Sequence, residues 1–133
     1  MGAEGGTVRT VYVVEDSAAL CEHLRALLGE LDGVRVVGQT GGAQEAIEAV
    51  RGLQPDVVLL DLRLAEGSGF DVLRALREDG NGARVIVLTN HGSDAYRRRA
   101  LEAGADLFLD KSVDFDRLAD AVRFPHDTAG GPA

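Results

Sequence analysis

The run Val57-Val58-Leu59-Leu60 constrains the fold more than any other part of this chain, because it is apolar on both alternating faces. A β-strand tolerates two apolar faces only when helices cover both sides of its sheet. The run therefore predicts the central strand of a parallel sheet. Four other strand-like runs alternate with segments of helical period. The predicted strands are residues 10–14, 34–38, 56–60, 84–88 and 107–109.

The intervening segments predict five helices. The first two span residues 17–31 and 43–51, and the third follows residues 67–69. Ser93 or Asp94 can cap the fourth, which Gly104 ends, and Asp114 can cap a fifth that runs to about Arg123. Short connections between alternating strands and helices favour right-handed crossovers. We therefore predict a doubly wound α/β fold of the flavodoxin-like type, with a five-stranded parallel sheet in the order 2-1-3-4-5.

Length and charge limit the function classes. The 133 residues fit one domain, which we place at residues 8–123, with a flexible lead at 1–7 and a flexible tail at 124–133 too short for an output domain. The formal charge of −8 disfavours nucleic acid and anionic membranes as partners and favours proteins. The chain has no apolar stretch of the roughly 18 residues that a membrane span needs, so we expect a cytoplasmic protein.

Polar residues end four of the predicted strands: Glu15-Asp16, Asp61, Thr89 and Lys111. The carboxyl ends of parallel strands meet at one edge of a sheet, where ligands bind at the point at which the winding reverses. We therefore expect an acidic pocket that contains one ammonium group and one hydroxyl group.

This set of groups predicts phosphoryl chemistry with a divalent cation. Mg²⁺ prefers hard oxygen ligands, and Mn²⁺ is the alternative ion. Asp16 and Asp61 would be direct ligands together with the backbone carbonyl of Arg63, while Glu15 would act through water. Asp61 could also attack phosphorus as a nucleophile, with Lys111 neutralising charge and Thr89 donating to a phosphoryl oxygen. We accordingly expect Asp61, Thr89 and Lys111 to carry the chemistry.

From Val8 to Arg123 the chain resembles the receiver domains of two-component response regulators. The resemblance rests on the acidic pair, on VVLLD, VIVLT and FLDK at three strand ends, on Gly69, and on Gly104-Ala105-Asp106. It implies Mg²⁺-dependent phosphorylation of Asp61 by a histidine kinase or a phosphotransfer histidine. The expected product is a phosphoprotein that switches protein–protein interactions.

The resemblance also assigns a switch. Phe108, three residues before the lysine, occupies the position of an aromatic residue that follows Thr89 inward on phosphorylation. The downstream partner would then bind the face formed by the fourth helix, the fifth strand and the fifth helix. Arg63, Asn90 and His91 would flank the pocket. Arg63 and His91 would affect how water reaches the acyl phosphate, and Asn90 would crowd or hydrogen-bond the phosphoryl group.

Three positions depart from the family pattern: Ala65 and Ser112 stand where many receivers have proline, and Asn90 replaces the small residue that is common after Thr89. A cis peptide before a non-proline residue costs about 3 kcal/mol. The Lys111–Ser112 peptide is therefore either trans, with a different loop, or strained.

Other interpretations remain open at the level of sequence. Asp16 could simply cap the first helix, and Phe108 could be a static core residue. The run Arg97-Arg98-Arg99 is typical of a solvated or carboxylate-pairing helix face, with docking of an acidic partner as an alternative. The whole chain could be an adaptor that works without phosphorylation. A small Mg²⁺-dependent phosphatase is less favoured, since it would need a second acid and a cap over its substrate.

Overall fold

The computed structural model describes residues 8–90 and 93–123. The predicted lead at 1–7 and tail at 124–133 lie outside these residues. The strands are β1 (Arg9–Val14), β2 (Val34–Thr40), β3 (Val57–Leu60), β4 (Arg84–Thr89) and β5 (Leu107–Asp110). The helices are α1 (Ala18–Gly29), α2 (Ala43–Leu53), α3 (Gly69–Glu78), α4 (Asp94–Glu102) and α5 (Leu118–Arg123), with a 3₁₀ turn at Phe115–Arg117 before α5. None of these helices is long and apolar enough to cross a membrane.

The predicted sheet is confirmed: all four strand pairings are parallel, and the order is β2-β1-β3-β4-β5. The strand β3 lies in the centre, and each of its four residues is buried. Helices cover both faces of the sheet, as an all-apolar central strand requires. The helices α1 and α5 pack on one face, and α2, α3 and α4 pack on the other.

Serine hydroxyl groups begin three of the helices. The Oγ atoms of Ser17, Ser68 and Ser93 each accept a hydrogen bond from a backbone amide in the first turn of α1, α3 and α4 respectively. Such caps satisfy amides that have no partner within the helix. Of the two capping candidates predicted for α4, Ser93 is the one whose side chain caps it.

The predicted capping role of Asp114 is wrong. Its side chain makes no capping hydrogen bond, and its Oδ2 atom instead accepts a hydrogen bond from the amide of Asp110 at 3.0 Å. The carboxylate closes the turn after β5, so the chain enters a 3₁₀ turn before α5 begins at Leu118. The first helix likewise ends at Gly29 rather than residue 31. The amides of Glu30 and Leu31 bond three residues back, to Leu27 and Leu28, which tightens the last turn.

Arg77 connects the carboxyl end of α3 to the start of the next two strands. Its guanidinium group donates two hydrogen bonds to the carbonyl of Gly104 at 3.0 and 2.8 Å. It also donates to the carbonyls of Asn81 and Ala83 and to Asp106 Oδ2, at 3.0 to 3.1 Å. A single planar side chain thus holds together the turns before β4 and β5, which keeps their carboxyl ends level at the opposite edge.

We predict that Arg77→Ala lowers the free energy of unfolding by about 2–4 kcal/mol, since several charge-assisted hydrogen bonds are lost and their acceptors are left behind. Arg74→Ala is the matched control, because Arg74 lies one turn earlier on α3 and makes one exposed contact with Asp71 at 3.3 Å. Its effect should stay within about 0.5 kcal/mol. Urea denaturation measures both changes, and equal effects would contradict the role assigned to Arg77.

Candidate phosphoacceptor site

Four of the five predicted polar residues, Glu15, Asp16, Asp61 and Lys111, meet at the carboxyl edge of the sheet, and Thr89 ends β4 at the same edge. Backbone hydrogen bonds continue the strand ladders into the loops and fix the first residue after each strand. The amide of Glu15 donates to Thr40 at 2.9 Å, and the amide of Asp61 donates to Val14 at 3.0 Å. The amide of Lys111 donates to Thr89 at 2.9 Å. The side chains therefore project from a rigid edge rather than from independent loops.

Lys111 forms an ion pair with two carboxylates at once. Its Nζ atom lies 2.9 Å from Glu15 Oε1 and 3.0 Å from Asp61 Oδ2. The side chains are only 12% (Lys111), 5% (Glu15) and 8% (Asp61) exposed. Lys111 is also the only lysine in the chain; the other 13 of its 14 lysine and arginine residues are arginines.

Burial and neighbouring charges act in opposite directions on the pKa values of Glu15 and Lys111. Burial raises the pKa of Glu15, and the hydrogen bonds from Lys111 and from the Ser17 amide only partly offset that effect. Burial would lower the pKa of Lys111, but its hydrogen bonds to Glu15 and Asp61 more than offset burial, so the pKa is raised. Lys111 is therefore an ammonium ion at neutral pH.

Three carboxylates could hold a metal ion here. Glu15, Asp16 and Asp61 each offer an oxygen, and these oxygens all lie within 4.8 Å of one another. Both oxygens of Glu15 already accept hydrogen bonds, from Lys111 and from the Ser17 amide at 3.0 Å. Asp16, by contrast, is exposed to solvent at the edge of the carboxylate cluster. The donor set is all oxygen, which fits Mg²⁺, and Asp16 is better placed than Glu15 to contact it directly.

Two glycines let other backbone segments approach the acids closely. A Cβ atom on Gly69 would lie 2.8 Å from Leu62 Cα and closer still to the carbonyl oxygen of Asp61. A Cβ atom on Gly41 would lie 2.8 Å from Asp16 Cα. A side chain at either position would clash with the segment that carries Asp61 or Asp16. The sequence comparison with receivers identified Gly69 but missed Gly41, for which the Gly41-Gly42 pair after β2 was the available signal.

The comparisons with known proteins agree with this geometry. The protein-family model that describes the response regulator receiver domain matches residues 11–123 of this chain. The chain belongs to this family. The chain is 40% identical over 114 residues to the nitrate/nitrite response regulator protein NarP of Escherichia coli, covering 85% of this chain and 53% of that protein. It is 35% identical over 113 residues to the uncharacterized transcriptional regulatory protein YvfU of Bacillus subtilis, covering 85% and 56%.

Solved receiver domains share the fold. The signal receiver domain of the putative response regulator NarL from Mycobacterium tuberculosis superposes with a TM-score of 0.84 at 29% identity, covering 93% of this chain and 98% of that one. A LuxR-family two-component response regulator from Aurantimonas also gives 0.84, at 31% identity, covering 93% and 87%. The chain spans about half the length of the curated relatives named above.

At the two positions where many receivers have proline, this receiver domain makes hydrogen bonds instead. The amide of Ala65 donates to Gly41 at 3.2 Å, which joins the loop after β3 to the loop after β2. The Lys111–Ser112 peptide is trans, and the amide and hydroxyl of Ser112 donate to Asp110 Oδ1 at 2.8 and 2.6 Å. Proline has no amide hydrogen for either contact. Of the two alternatives for Lys111–Ser112, the unstrained one with a different loop is correct.

The predicted switch residues lie on the paired strands β4 and β5, two register positions apart. Thr89 is fully buried at the end of β4, and Phe108 is 1% exposed on β5. Val87, two residues before Thr89 on the same face of β4, pairs with Phe108. The guanidinium carbon of Arg97 on α4 lies 5.1 Å from the centroid of the Phe108 ring. Phe108 thus pairs with β4 near the pocket edge and also contacts α4 through Arg97.

The predicted flanking residues are only partly described. Arg63 is exposed and its amide donates to Asp61 Oδ1 at 3.3 Å, so its backbone lies against the Asp61 carboxylate. Asn90 is exposed directly after β4. His91 lies outside the described residues.

We predict that Lys111→Met lowers the free energy of unfolding by about 2–4 kcal/mol at neutral pH in EDTA, because two buried carboxylates lose their counter-charge. The loss should shrink in acid, where protonated carboxyl groups no longer repel. Arg117→Met, which breaks an exposed contact to Asp114 at 3.4 Å, is the control. Urea denaturation at both pH values tests this, and a pH-independent loss would contradict it.

Proposed function

We propose that Asp61 is the phosphoacceptor of a two-component or phosphorelay system. The observation that carries this proposal is the contact of Lys111 Nζ with Asp61 Oδ2 at 3.0 Å, inside a cluster of three carboxylates. A carboxylate cannot attack a phosphoryl group while its own charge and its neighbours' charges repel the incoming anion. An ammonium group already in place lowers that barrier without reorganisation.

The reaction transfers a phosphoryl group from a histidine of a sensor kinase or of a phosphotransfer protein. A carboxylate oxygen of Asp61 forms the new P–O bond as the P–N bond to the donor imidazole breaks, and the imidazole keeps the bonding electron pair. Lys111 stays close to the developing charge. Thr89, at the end of β4, would donate its hydroxyl hydrogen to a phosphoryl oxygen of the product.

Asp16, Asp61 and the carbonyl of Arg63 would hold Mg²⁺, or Mn²⁺, with Glu15 acting through water. The ion would supply charge neutralisation and a fixed orientation for the phosphoryl oxygens. The engagement of both Glu15 oxygens by protein donors supports its indirect role. The chain would assist only its own phosphorylation and dephosphorylation.

The output of the switch would be the surface formed by α4, β5 and α5. A contact between Thr89 and the phosphoryl group exists only in the modified state, so it can shift the loop that carries Thr89. Phe108 would follow because it packs beside the same strand. Its phenyl ring has no hydroxyl to satisfy, so burial costs no hydrogen bond. A protein partner that reads this face would then distinguish the two states.

Intact mass spectrometry tests the phosphoacceptor. Wild type incubated with a small acyl phosphate and Mg²⁺ should gain a phosphoryl group of about 80 Da, while Asp61→Asn and wild type in EDTA should not. If the small donor fails, a histidine kinase donor is tried. A gain by Asp61→Asn would assign the phosphoryl group elsewhere. Failure with both donors despite Mg²⁺ binding would favour the adaptor that works without phosphorylation.

The side chain of Arg63 should slow hydrolysis of the acyl phosphate by limiting the access of water. We predict that Arg63→Ala shortens the lifetime about two- to fivefold, which corresponds to a barrier lower by about 0.5–1 kcal/mol. Loss of mass with time after removal of the donor measures the rate. Arg35→Ala, an exposed arginine on β2, is the control, and equal lifetimes of the three proteins would disprove the role.

A further inference from the structure

The run Arg97-Arg98-Arg99 does not form one solvated patch. The guanidinium group of Arg97 lies over Phe108 on the side of β5, whereas that of Arg99 lies 4.3 Å from the centroid of the Phe70 ring on α3. Two of these consecutive arginines, Arg97 and Arg99, thus face different surfaces. Arg99 is the one that faces the groove between α3 and α4.

This α3–α4 groove consists of two adjoining cavities of about 420 and 320 Å³, which fall within the range of small binding clefts. Phe70 and Arg99 line both cavities and therefore lie at the middle of the groove. The remaining lining of the larger cavity is Arg74, Arg77, Glu78 and Ala103. The smaller cavity extends towards the loop after β3.

The groove is basic in a chain whose net charge is −8. Arginines outnumber acids along its lining. Arg77 is committed to backbone carbonyls, but Arg74 and Arg99 are exposed. The contact of Arg74 with Asp71 is an exposed pair at 3.3 Å, of the kind that contributes little and is easily exchanged for another carboxylate.

An aromatic wall lies beside these charges. The rings of Phe70 and Tyr96 are stacked with centroids 6.3 Å apart and planes inclined by 20°. Tyr96 is 36% exposed and Phe70 is half-buried, so apolar surface remains accessible. Stacking on Phe70 also fixes the Arg99 guanidinium plane, which reduces the entropy lost when it binds an anion.

We propose that the α3–α4 groove binds an acidic peptide segment of a partner protein. Carboxylates of the segment pair with Arg99 and Arg74, and an apolar side chain packs on Phe70 and Tyr96. Charge complementarity selects this occupant. Duplex DNA is disfavoured because its dense phosphate charge would meet an acidic domain, and the basic residues lie within one narrow groove rather than along a broad face.

NMR titration tests the proposal with a short synthetic peptide of Asp and Glu around a central Phe. Two control ligands are compared with it. One is the same peptide with Asn in place of Asp and Gln in place of Glu, and the other is a short DNA duplex. The protein is used without Mg²⁺ or phosphoryl donor, so the result does not depend on phosphorylation of Asp61. Amide shifts should map to α3 and α4 with the acidic peptide, and binding should weaken with added salt.

Arg99→Ala should weaken binding about tenfold, the effect of one charge-assisted contact of about 1.4 kcal/mol. Arg98→Ala removes the same charge from the same helix and should change affinity less than twofold, about 0.4 kcal/mol. Both should melt like wild type. Equal loss in the two variants, no shift at millimolar peptide, shifts confined to α5, or preference for DNA or the amide peptide would each overturn the proposal.

Discussion

Repulsion among carboxylates is the constraint on which this structure depends. A parallel sheet gathers the residues that follow its strands at one edge, and here that edge receives Glu15, Asp16 and Asp61. Among the described residues, Lys111 is the cation that directly contacts two of them. Its position after β5 requires that strand to be in register with β4, and β4 with β3. The charge balance of the site therefore depends on the packing and register of the sheet.

The loops around the site are held by backbone hydrogen bonds rather than by rigid residues. The amide of Ala43 donates to Glu66 at 2.9 Å, beside the contact of Ala65 with Gly41. The loops after β2 and β3 thus support each other where the acids emerge. After β5 the loop is instead held by the Asp110 side chain, which accepts hydrogen bonds from the amide and hydroxyl of Ser112. A family that often uses proline at these points can reach a comparable fixed geometry through donors that proline lacks.

Sequence patterns predicted the strands, the sheet order and the set of polar residues at its edge, because hydrophobic periodicity and strand ends are local signals. These patterns did not predict the role of a residue whose contacts are with residues distant in the sequence. Asp114 looks like a helix cap but bonds to the amide of Asp110, since the turn after β5 needed an acceptor. Arg77 carried no signal of its role, and the Gly41-Gly42 pair indicated a turn but not the close approach to Asp16, because both roles depend on segments brought near only by the fold. The direction of each arginine on α4 was likewise set by what α3 and β5 placed beside it.

The chain places its one lysine at its most heavily charged site, while thirteen arginines cover the rest. An arginine guanidinium is planar and directional, whereas an ammonium ion is compact and can face two carboxylates that lie in different directions. Isotopic enrichment of a single amino-acid type would accordingly mark one side-chain nitrogen, and that nitrogen belongs to the site. The electrostatic state of the carboxylate cluster could be followed through one spectroscopic line, without any engineered probe.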